Sequence, residues 1–308
     1  MSEDIIQVKT ISTLHSMLGF PAPTHPLISV IDVSKLKITE EMVGTKISAD
    51  FYYIGLKSAE CGSHYGKNDY DFDKGVLAFT APKQVIAAKS TTDFDQEQGW
   101  MLFFHPDLIR GTSLGENIDN YSFFNYDTHE ALHLAGSEKQ TLKDCVRQIT
   151  EEYSRGTDNH SQRVLVSCLE LLLNYCLRFY ERQFEARTVL NRDILIKVEN
   201  VLKEYMQAGL LEKNGIPTVS YMAEKVNLSQ NYLSDLLKRE TGRSAKDHIT
   251  DVIIDKARTR LLGTQDSVAE IAYELGFRYP HYFSRLFKAK TGLTPQEYRK
   301  TKAKYSTS

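Results

Sequence analysis

Two segments in the C-terminal third of the chain carry side chains that could bind nucleic-acid bases. Asn231 matches the donor and acceptor pattern of adenine, and Arg285 can form two parallel hydrogen bonds with guanine. Lysine side chains in similar places more often contact phosphate. The candidate contacts are Asn231, Ser234, Asp235 and Lys238 in the first segment, and Arg278, Tyr279, His281, Arg285 and Lys288 in the second. Each residue taken alone is equally compatible with a solvated helix face. The secondary structure that positions each residue must therefore decide between a base contact and a solvated surface.

A second chemistry is suggested by His129-Glu130-Ala-Leu-His133, which has the H-E-x-x-H spacing of zinc hydrolases. On a helix, two histidines four residues apart can bind zinc while the glutamate activates water. Glu151 or Glu152 could add a third ligand, but Gly136 would end such a helix one turn after His133. Short motifs with two free positions also arise by chance. A zinc-dependent hydrolase is therefore the alternative, and the base-binding segments are preferred.

Other catalytic patterns are missing from the sequence. There is no Ser/His/Asp or Cys/His arrangement and no glycine-rich phosphate loop. The metal pattern of cupin barrels, His-x-His followed by Glu and a later His, is also missing, because His64 and His105 stand alone. We therefore expect no catalytic residue, no metal site and no cofactor.

The candidate base contacts lie inside an internal repeat. Residues 219–242 and 268–292 each predict a short helix, a turn and a second helix ending in Thr-Gly, which is typical of a helix-turn-helix unit. Apolar positions match at an offset of 49 in the first helix and 50 in the second, so Tyr279 or a neighbour is an extra residue in the turn. The apolar residues predict the core of each unit. The candidate contacts lie on the opposite face of the second helix, which such units place in the major groove.

A helix predicted over 246–262 joins the two copies. Apolar residues recur there at every fourth position: Ile249, Ile253, Ala257 and Leu261. Ser267 and Glu270 predict a capping box for copy two, and Thr294-Pro-Gln-Glu297 predicts the start of a last helix. A rigid linker of this kind would place two recognition helices in successive major grooves, about 34 Å apart.

Four motifs of this region resemble the signature of the AraC/XylS family of bacterial transcription regulators. They are Lys256-Ala-Arg, Val268-x-x-Ile-Ala-x-x-x-Gly-Phe277, Tyr282-Phe-Ser-Arg-x-Phe-Lys288 and Gly292-Leu-Thr-Pro-x-x-Tyr-Arg299. The resemblance spans about 192–299 and implies two helix-turn-helix units on one linker helix that bind promoter DNA and usually activate transcription through RNA polymerase. It also implies an N-terminal cupin-like barrel that binds an effector and a helical hairpin that dimerises. Asp235, Pro280 and His281 depart from the amide and basic residues frequent at their positions, so the operator sequence does not follow by analogy.

The N-terminal half predicts strands followed by helices. Short apolar or alternating runs at 27–33, 51–56, 76–79, 85–88 and 100–104 favour an antiparallel barrel or sandwich suited to a small ligand. Aromatic residues on these runs could line a pocket or, with more weight, pack in the core: Phe51, Tyr52, Tyr53, Trp100, Phe103 and Phe104. Ser137-Glu-Lys-Gln140 predicts a capping box that opens one helix, and a more apolar helix follows over about 160–184. Asn191 is expected to cap the next helix.

Composition and charge agree with a folded two-domain protein that binds DNA. The chain of 308 residues has no apolar run long enough to span a membrane and no signal-peptide pattern at Met1-Ser-Glu-Asp, so we expect it in the cytoplasm. Residues 1–189 hold 18 basic and 26 acidic side chains, whereas 190–308 hold 20 basic and 14 acidic ones. A basic lobe on an acidic body fits a phosphate-binding module. Four cysteines without metal-binding spacing are expected to be reduced: Cys61, Cys145, Cys168 and Cys176.

The sequence thus predicts an α+β protein with four parts. These are a cupin-like antiparallel barrel that senses an effector (1–136), a helical hairpin for dimerisation (137–184), a linker (185–191) and an all-α domain with two helix-turn-helix units (192–304). The predicted function is a sequence-specific DNA-binding transcription regulator, expected to be a homodimeric activator that contacts RNA polymerase and senses a small molecule. A barrel that serves only for dimerisation is a further alternative.

Overall fold

The computed structural model describes residues 5–36, 45–57, 75–87, 99–156 and 158–305. The chain divides into two compact units, Met1–Ala186 and Arg187–Ser308. Three expectations fall outside the described residues: those for Cys61, for His64 and for the end of the strand at 85–88.

The described strands of the N-terminal unit form two sheets. Its described strands are β1 Ile5–Val8, β2 Ile28–Asp32, β3 Lys46–Ala49, β4 Tyr52–Lys57, β5 Val76–Thr80, β6 Val85–Ala87, β7 Trp100–Phe104 and β8 Leu132–His133. Five of them form an antiparallel sheet in the order β2-β7-β4-β5-β8, and three form a second sheet in the order β1-β3-β6. The helices of this unit are α1 Ile11–Met17, α2 Pro106–Ile109, α3 Ser113–Asn117, α4 Gly136–Ser154 and α5 Ser161–Ala186.

This architecture confirms the α+β class and refines the expected barrel. The described strands lie in two separate sheets that do not close, and β1 pairs with β3 in parallel, Ile6 opposite Ile47. Strand runs show alternation and turn residues, but they do not show which strand pairs with which, because pairing depends on contacts far apart in the chain. A parallel partner for a four-residue strand at the start of the described chain has no local signal.

The aromatic side chains of β4, of β7 and of Phe51, just before β4, pack in the core on the two faces of the larger sheet. On one face Phe51 and Phe103 meet edge to face at 5.8 Å between ring centroids and join the cluster around α1. On the other, Tyr52 stacks on Phe104 at 4.7 Å and meets Phe124 at 4.8 Å. Successive residues of a strand point to opposite faces, which explains the two layers. The core-packing interpretation of these residues is therefore the one that the structure supports.

Helices α4 and α5 form the predicted antiparallel hairpin, but α4 begins differently from the expectation. It starts at Gly136, and the Glu138 carboxylate accepts the Ala135 backbone N–H at 2.7 Å. The same carboxylate accepts two bonds from Arg182 of α5, at 2.7 and 2.9 Å, and Arg182 also donates to the His133 carbonyl at 2.6 Å. The box predicted at Ser137 and Gln140 was wrong, because Glu138 serves both the helix start and the hairpin.

The three described cysteines lie at this hairpin as free thiols. Cys145 and Cys176 are buried, and Cys168 is half-buried. Burial raises the pKa of each thiol above its ordinary value, with neighbouring cysteine and acidic groups adding to the shift. Thiols held protonated in this way are poor nucleophiles, and the free thiols agree with the reduced state expected for these three cysteines.

Helices are the regular elements of the C-terminal unit as far as it is described, up to residue 305. Its helices are α6 Thr188–Gln207, α7 Leu210–Asn214, α8 Val219–Lys225, α9 Gln230–Thr241, α10 Ala245–Gly263, α11 Val268–Glu274, α12 Pro280–Thr291 and α13 Pro295–Tyr305. One apolar cluster runs through the unit and includes residues of both repeats and of α10, among them Leu233, Ile253 and Phe283. The repeat therefore folds around a shared core.

The junction at 185–191 is more helical than a polar linker would be. Helix α5 continues to Ala186 and α6 begins at Thr188, so Arg187 is the one non-helical residue there. Asn191 does not cap a helix, which corrects the expectation. It lies inside α6, is 1% exposed, and its amide donates to the Glu240 carboxylate at 2.8 Å. Its partner is 49 residues away, so the side chain is explained by tertiary packing and not by a local cap.

Candidate nucleic-acid interface

The two repeats have the same turn geometry. In copy one, Asn227 has φ +56° and the Leu228 N–H donates to the Ala223 carbonyl at 3.0 Å. In copy two, Gly276 has φ +84° and the Phe277 N–H donates to the Ala272 carbonyl at 2.9 Å. Glycine and asparagine are the residues that most readily adopt this left-handed backbone. The offset of 49 thus reflects two copies of one helix-turn-helix unit.

The position of the extra residue in copy two follows from where the second helices, α9 and α12, begin. Helix α9 begins at Gln230 after Ser229, whose hydroxyl accepts the Tyr232 N–H at 3.2 Å. Helix α12 begins at Pro280 after Tyr279, which makes no side-chain cap. Leu228 corresponds to Phe277, and the N-cap residue Ser229 corresponds to Tyr279. Arg278 lies between Phe277 and Tyr279 and has no counterpart in copy one, so it is the inserted residue.

Each second helix buries one face and exposes the other. The buried side chains Leu233 and Leu237 of α9 and Phe283 and Phe287 of α12 pack into the common core, and Leu236 of α9 is also buried. On the outer face of α9, Asn231, Ser234 and Asp235 are half-buried and Lys238 is exposed. The Ser234 hydroxyl donates to the Gln230 carbonyl at 2.8 Å, which holds its proton within the helix.

The outer face of copy two is more exposed and more basic. Arg278, Tyr279, His281, Arg285 and Lys288 are all exposed. Both arginines stack on neighbouring tyrosines: the Arg278 guanidinium lies 5.6 Å from the Tyr279 ring centroid, and that of Arg285 lies 5.1 Å from the Tyr282 ring centroid. Stacking orients the planar guanidinium and leaves its edge available for hydrogen bonds.

Tyr282 is a candidate that the sequence analysis missed. Its side chain is 49% exposed, its ring centroid lies 4.5 Å from that of His281 and 6.1 Å from that of Tyr279. The spacing of three residues between Tyr282 and Arg285 was the available signal, since residues i and i+3 share a helix face. The recognition surface of copy two is therefore an aromatic and basic cluster.

Ion pairs tie α10 to the second repeat. Lys290 of α12 donates to Asp247 at 2.8 Å and lies 3.0 Å from Asp251. The hydrogen bond from Lys290 lowers the pKa of Asp247, and the same bonds raise the pKa of Lys290. At the other end of α10, Arg260 pairs with Glu274 at 2.6 Å. These contacts add to the shared core in joining α10 to copy two.

The starts of α11, in copy two, and of α13, after copy two, follow the sequence prediction. Ser267 and Glu270 form the expected capping box, with bonds of 2.7 and 3.1 Å. Glu297 accepts the Thr294 N–H at 2.8 Å, and the Thr294 hydroxyl accepts the Glu297 N–H at 3.3 Å. Accepting a backbone N–H lowers the pKa of both glutamates.

The H-E-x-x-H segment does not form a zincin helix. His129 and Glu130 lie in a 3-10 turn, Thr128–Glu130, whereas His133 lies in β8. The Glu130 carboxylate is buried and accepts the Asp127 N–H at 2.7 Å. Three possible ligand atoms lie within 4.8 Å of one another, one each from Asp127, His129 and Glu130. His133 does not belong to this set. The two histidines therefore do not share the helix face that the hydrolase alternative requires.

Within the described part of the chain, no helix is long and apolar enough to cross a bilayer.

Two helix-turn-helix units with exposed polar faces define a DNA-binding protein, and comparison with known proteins agrees. Residues 222–301 match the family described as a helix-turn-helix domain. The chain is 31% identical over 248 residues to the uncharacterized HTH-type transcriptional regulator YisR of Bacillus subtilis, covering 73% of this chain and 85% of that protein. It is 28% identical over 290 residues to the HTH-type transcriptional activator RhaS of Enterobacter sp., covering 94% of this chain and 97% of that protein.

Two further similarities each cover about a third of this chain. The chain is 31% identical over 110 residues to an uncharacterized HTH-type regulator of Pseudoalteromonas carrageenovora and spans 63% of its length. The solved C-terminal domain of the response regulator yesN from Fusobacterium nucleatum is 32% identical, with 33% of this chain and 93% of that chain covered at a TM-score of 0.30.

The chain belongs to the AraC/XylS family, as the sequence motifs predicted. It is a DNA-binding transcription regulator of that family.

Proposed function

We propose that the outer faces of α9 and α12 read bases in two successive major grooves of promoter DNA, within residues 192–304. The observation that carries this proposal is the exposed cluster on α12, where Arg285 stacks on Tyr282 with its guanidinium edge open. Arg285 pairs with guanine O6 and N7, and Asn231 pairs with adenine. Asp235 accepts from cytosine N4, and Ser234 and His281 make further base contacts.

The remaining candidates bind the phosphate backbone. Lys238 and Lys288 lie in the last turns of their helices, where their charge also suits the helix dipole. Arg278 and Tyr279 precede α12 and contact phosphate at the groove edge. Copy two, with more exposed cations, supplies more of the electrostatic affinity, whereas copy one depends more on base identity.

The test is selection of a preferred duplex by the full-length protein from a randomised library, followed by titration of variants against that duplex. Arg285→Ala should lose about 1 to 3 kcal/mol of specific binding and relax the preference at one position. Lys288→Ala should weaken binding to all sequences by the same factor. The salt dependence of its affinity should fall by about one phosphate contact. Lys203→Ala, an exposed cation of α6, is the matched control and should bind like wild type. Unchanged affinity and preference for Arg285→Ala would remove this residue from the base-reading set.

The regulator acts as a homodimer through the 137–184 hairpin. Helix α5 exposes Val164 (40%) and Leu171 (43%), and Cys168 and Tyr175 complete a stripe at spacings of four, three and four residues. Such a stripe fits the seam of a helix packed against a second copy. Leu171→Asp should convert dimer to monomer in light scattering after gel filtration, whereas Gln140→Asp on the exposed face of α4 should not. A dimer unchanged by Leu171→Asp would place the interface elsewhere.

The region before the hairpin, residues 1–136, senses a small molecule in the cytoplasm, and effector binding favours an activating state that contacts RNA polymerase. Similarity over almost the whole chain to a protein named as the activator RhaS supports the sign of regulation. The effector must bind the two states with different affinity, by about 1 to 3 kcal/mol. A ligand that binds the folded protein raises its melting temperature, so a thermal-shift screen of metabolites tests this step. A screen without any stabilising metabolite would favour a unit that serves dimerisation alone.

A further inference from the structure

A cavity of about 600 Å³ lies inside the C-terminal unit, between the two helix-turn-helix copies. One wall is the segment from Ile216 to Val219, which leads into α8. The first turns of α10 form the second wall, and Phe277 with the outer side of α12 forms the third. Its volume falls in the range of about 300 to 1,000 Å³ that small-molecule sites usually have.

The cavity combines an apolar interior with two cations. Pro217, Ile249 and Phe277 are buried side chains of its lining, and Leu286 adds a half-buried one. Lys246 and Arg285 also line it and are exposed. An apolar body with one anionic end is the ligand that such a lining complements, because the body displaces water from the walls and the anion meets the two cations.

The charges around the cavity leave these two cations available. Asp247 and Asp251, the acidic residues nearest in sequence to Lys246, are held by Lys290 at 2.8 and 3.0 Å, and Arg243 also pairs with Asp251 at 3.0 Å. Neither Lys246 nor Arg285 forms an ion pair with another described residue. The first turn of α10 adds the positive end of a helix of 19 residues.

We propose that this cavity binds an amphipathic organic anion, an aromatic or alkyl carboxylate or sulfonate, and that the bound anion lowers the affinity of the unit for DNA. The second part rests on the proposed function, because Arg285 and Tyr282 belong both to the cavity lining and to the recognition face. An anion paired with Arg285 competes with guanine for the same guanidinium. By linkage, DNA must weaken anion binding by the same factor.

The first experiment uses 1-anilinonaphthalene-8-sulfonate, a fluorescent aromatic sulfonate, with the full-length protein. Ala289→Trp, which places an indole on the cavity wall, should weaken the saturable fluorescence signal by at least about tenfold. Lys246→Gln, a change of an exposed side chain, should weaken it by about two- to fivefold. The matched controls Ala208→Trp and Lys203→Gln change exposed residues of the same unit outside the cavity and should bind the dye like wild type. Dye binding that is the same in Ala289→Trp, Lys246→Gln and both controls would overturn the site.

The second experiment tests the coupling separately. A mixed-sequence duplex of two helical turns, at low salt, should displace the dye from wild type in proportion to the DNA bound, as followed by anisotropy of the labelled duplex. Dye that stays bound while the duplex binds would overturn the competition and leave the cavity site standing. A protein that binds the dye at this cavity but binds no duplex would instead refute the proposed function.

Discussion

Replacing Gly276 by alanine tests how closely the second repeat packs against the chain segment before the first. Gly276 has φ +84°, and a Cβ built there would lie 2.8 Å from the Leu211 carbonyl oxygen and 2.9 and 3.0 Å from backbone atoms of Gly215. Left-handed backbone costs a non-glycine residue about 1 to 2 kcal/mol. Crowding against backbone, which cannot rotate away, adds about 1 to 3 kcal/mol. Gly276→Ala should therefore lower the free energy of unfolding of the C-terminal unit by about 2 to 5 kcal/mol.

Gly292→Ala is the matched control, because Gly292 has φ +78° and its Cβ would meet nothing within 4 Å. It should show the backbone cost alone, about 1 to 2 kcal/mol. Urea unfolding followed by far-ultraviolet circular dichroism measures both variants, since helices dominate the C-terminal unit. The midpoint of Gly276→Ala should be lower than that of Gly292→Ala by about 0.5 to 1.5 M urea. Trp100, the single tryptophan, reports on the N-terminal unit and should show the same transition in both variants. Equal losses in the two variants would refute the close approach of Gly276 to Leu211 and Gly215.

Three further predictions concern the hairpin, the acid limb of stability and the H-E-x-x-H segment. Glu138→Gln should destabilise the hairpin by about 1 to 3 kcal/mol, because it weakens the Arg182 pair and the helix start together, whereas Glu151→Gln on the exposed face of α4 should change thermal unfolding little. The pKa values of Asp247, Glu270 and Glu297 are lowered in the folded state, so their stabilising contribution is present above the carboxyl pKa of the unfolded chain, near pH 4, and is lost as the pH falls through the lowered folded values. The free energy of unfolding, measured from pH 7 to pH 2, should therefore decline less in Asp247→Asn than in wild type. Parallel curves for the two proteins would contradict the Lys290 pair. Elemental analysis of the purified protein should find no stoichiometric zinc, and zinc that is lost from both His129→Ala and His133→Ala would revive the hydrolase alternative.

The helical third of the chain could be predicted closely because its signals are local. Ser267 and Glu270, Thr294 and Glu297, and the residues at fourfold spacing in α10 each act through neighbours within one or two turns. The exposed faces of α9 and α12 follow from the same periodicity. Tyr282 was missed although it obeys that periodicity, since an aromatic residue beside buried Phe283 is more often part of a core.

The N-terminal half could be predicted only in part. Alternating runs located most strands of the larger sheet, but the parallel pairing of β1 with β3 and the separation into two sheets depend on partners distant in sequence. The pairing of Glu138 with Arg182 and the place of Asn191 inside α6 were missed for the same reason. Arg182 lies 44 residues from Glu138, and Glu240 lies 49 residues from Asn191.

By itself the sequence determined the family, the α+β class and the bipartite DNA-binding module, because an amphipathic repeat with its own caps and turns specifies each helix from within. Tertiary structure alone decided two things: that His133 leaves the helix its motif suggested, and that a cavity lies between the two copies. Each of these features depends on contacts between residues that are far apart in the sequence. Local secondary-structure propensity does not encode the free energy of such contacts.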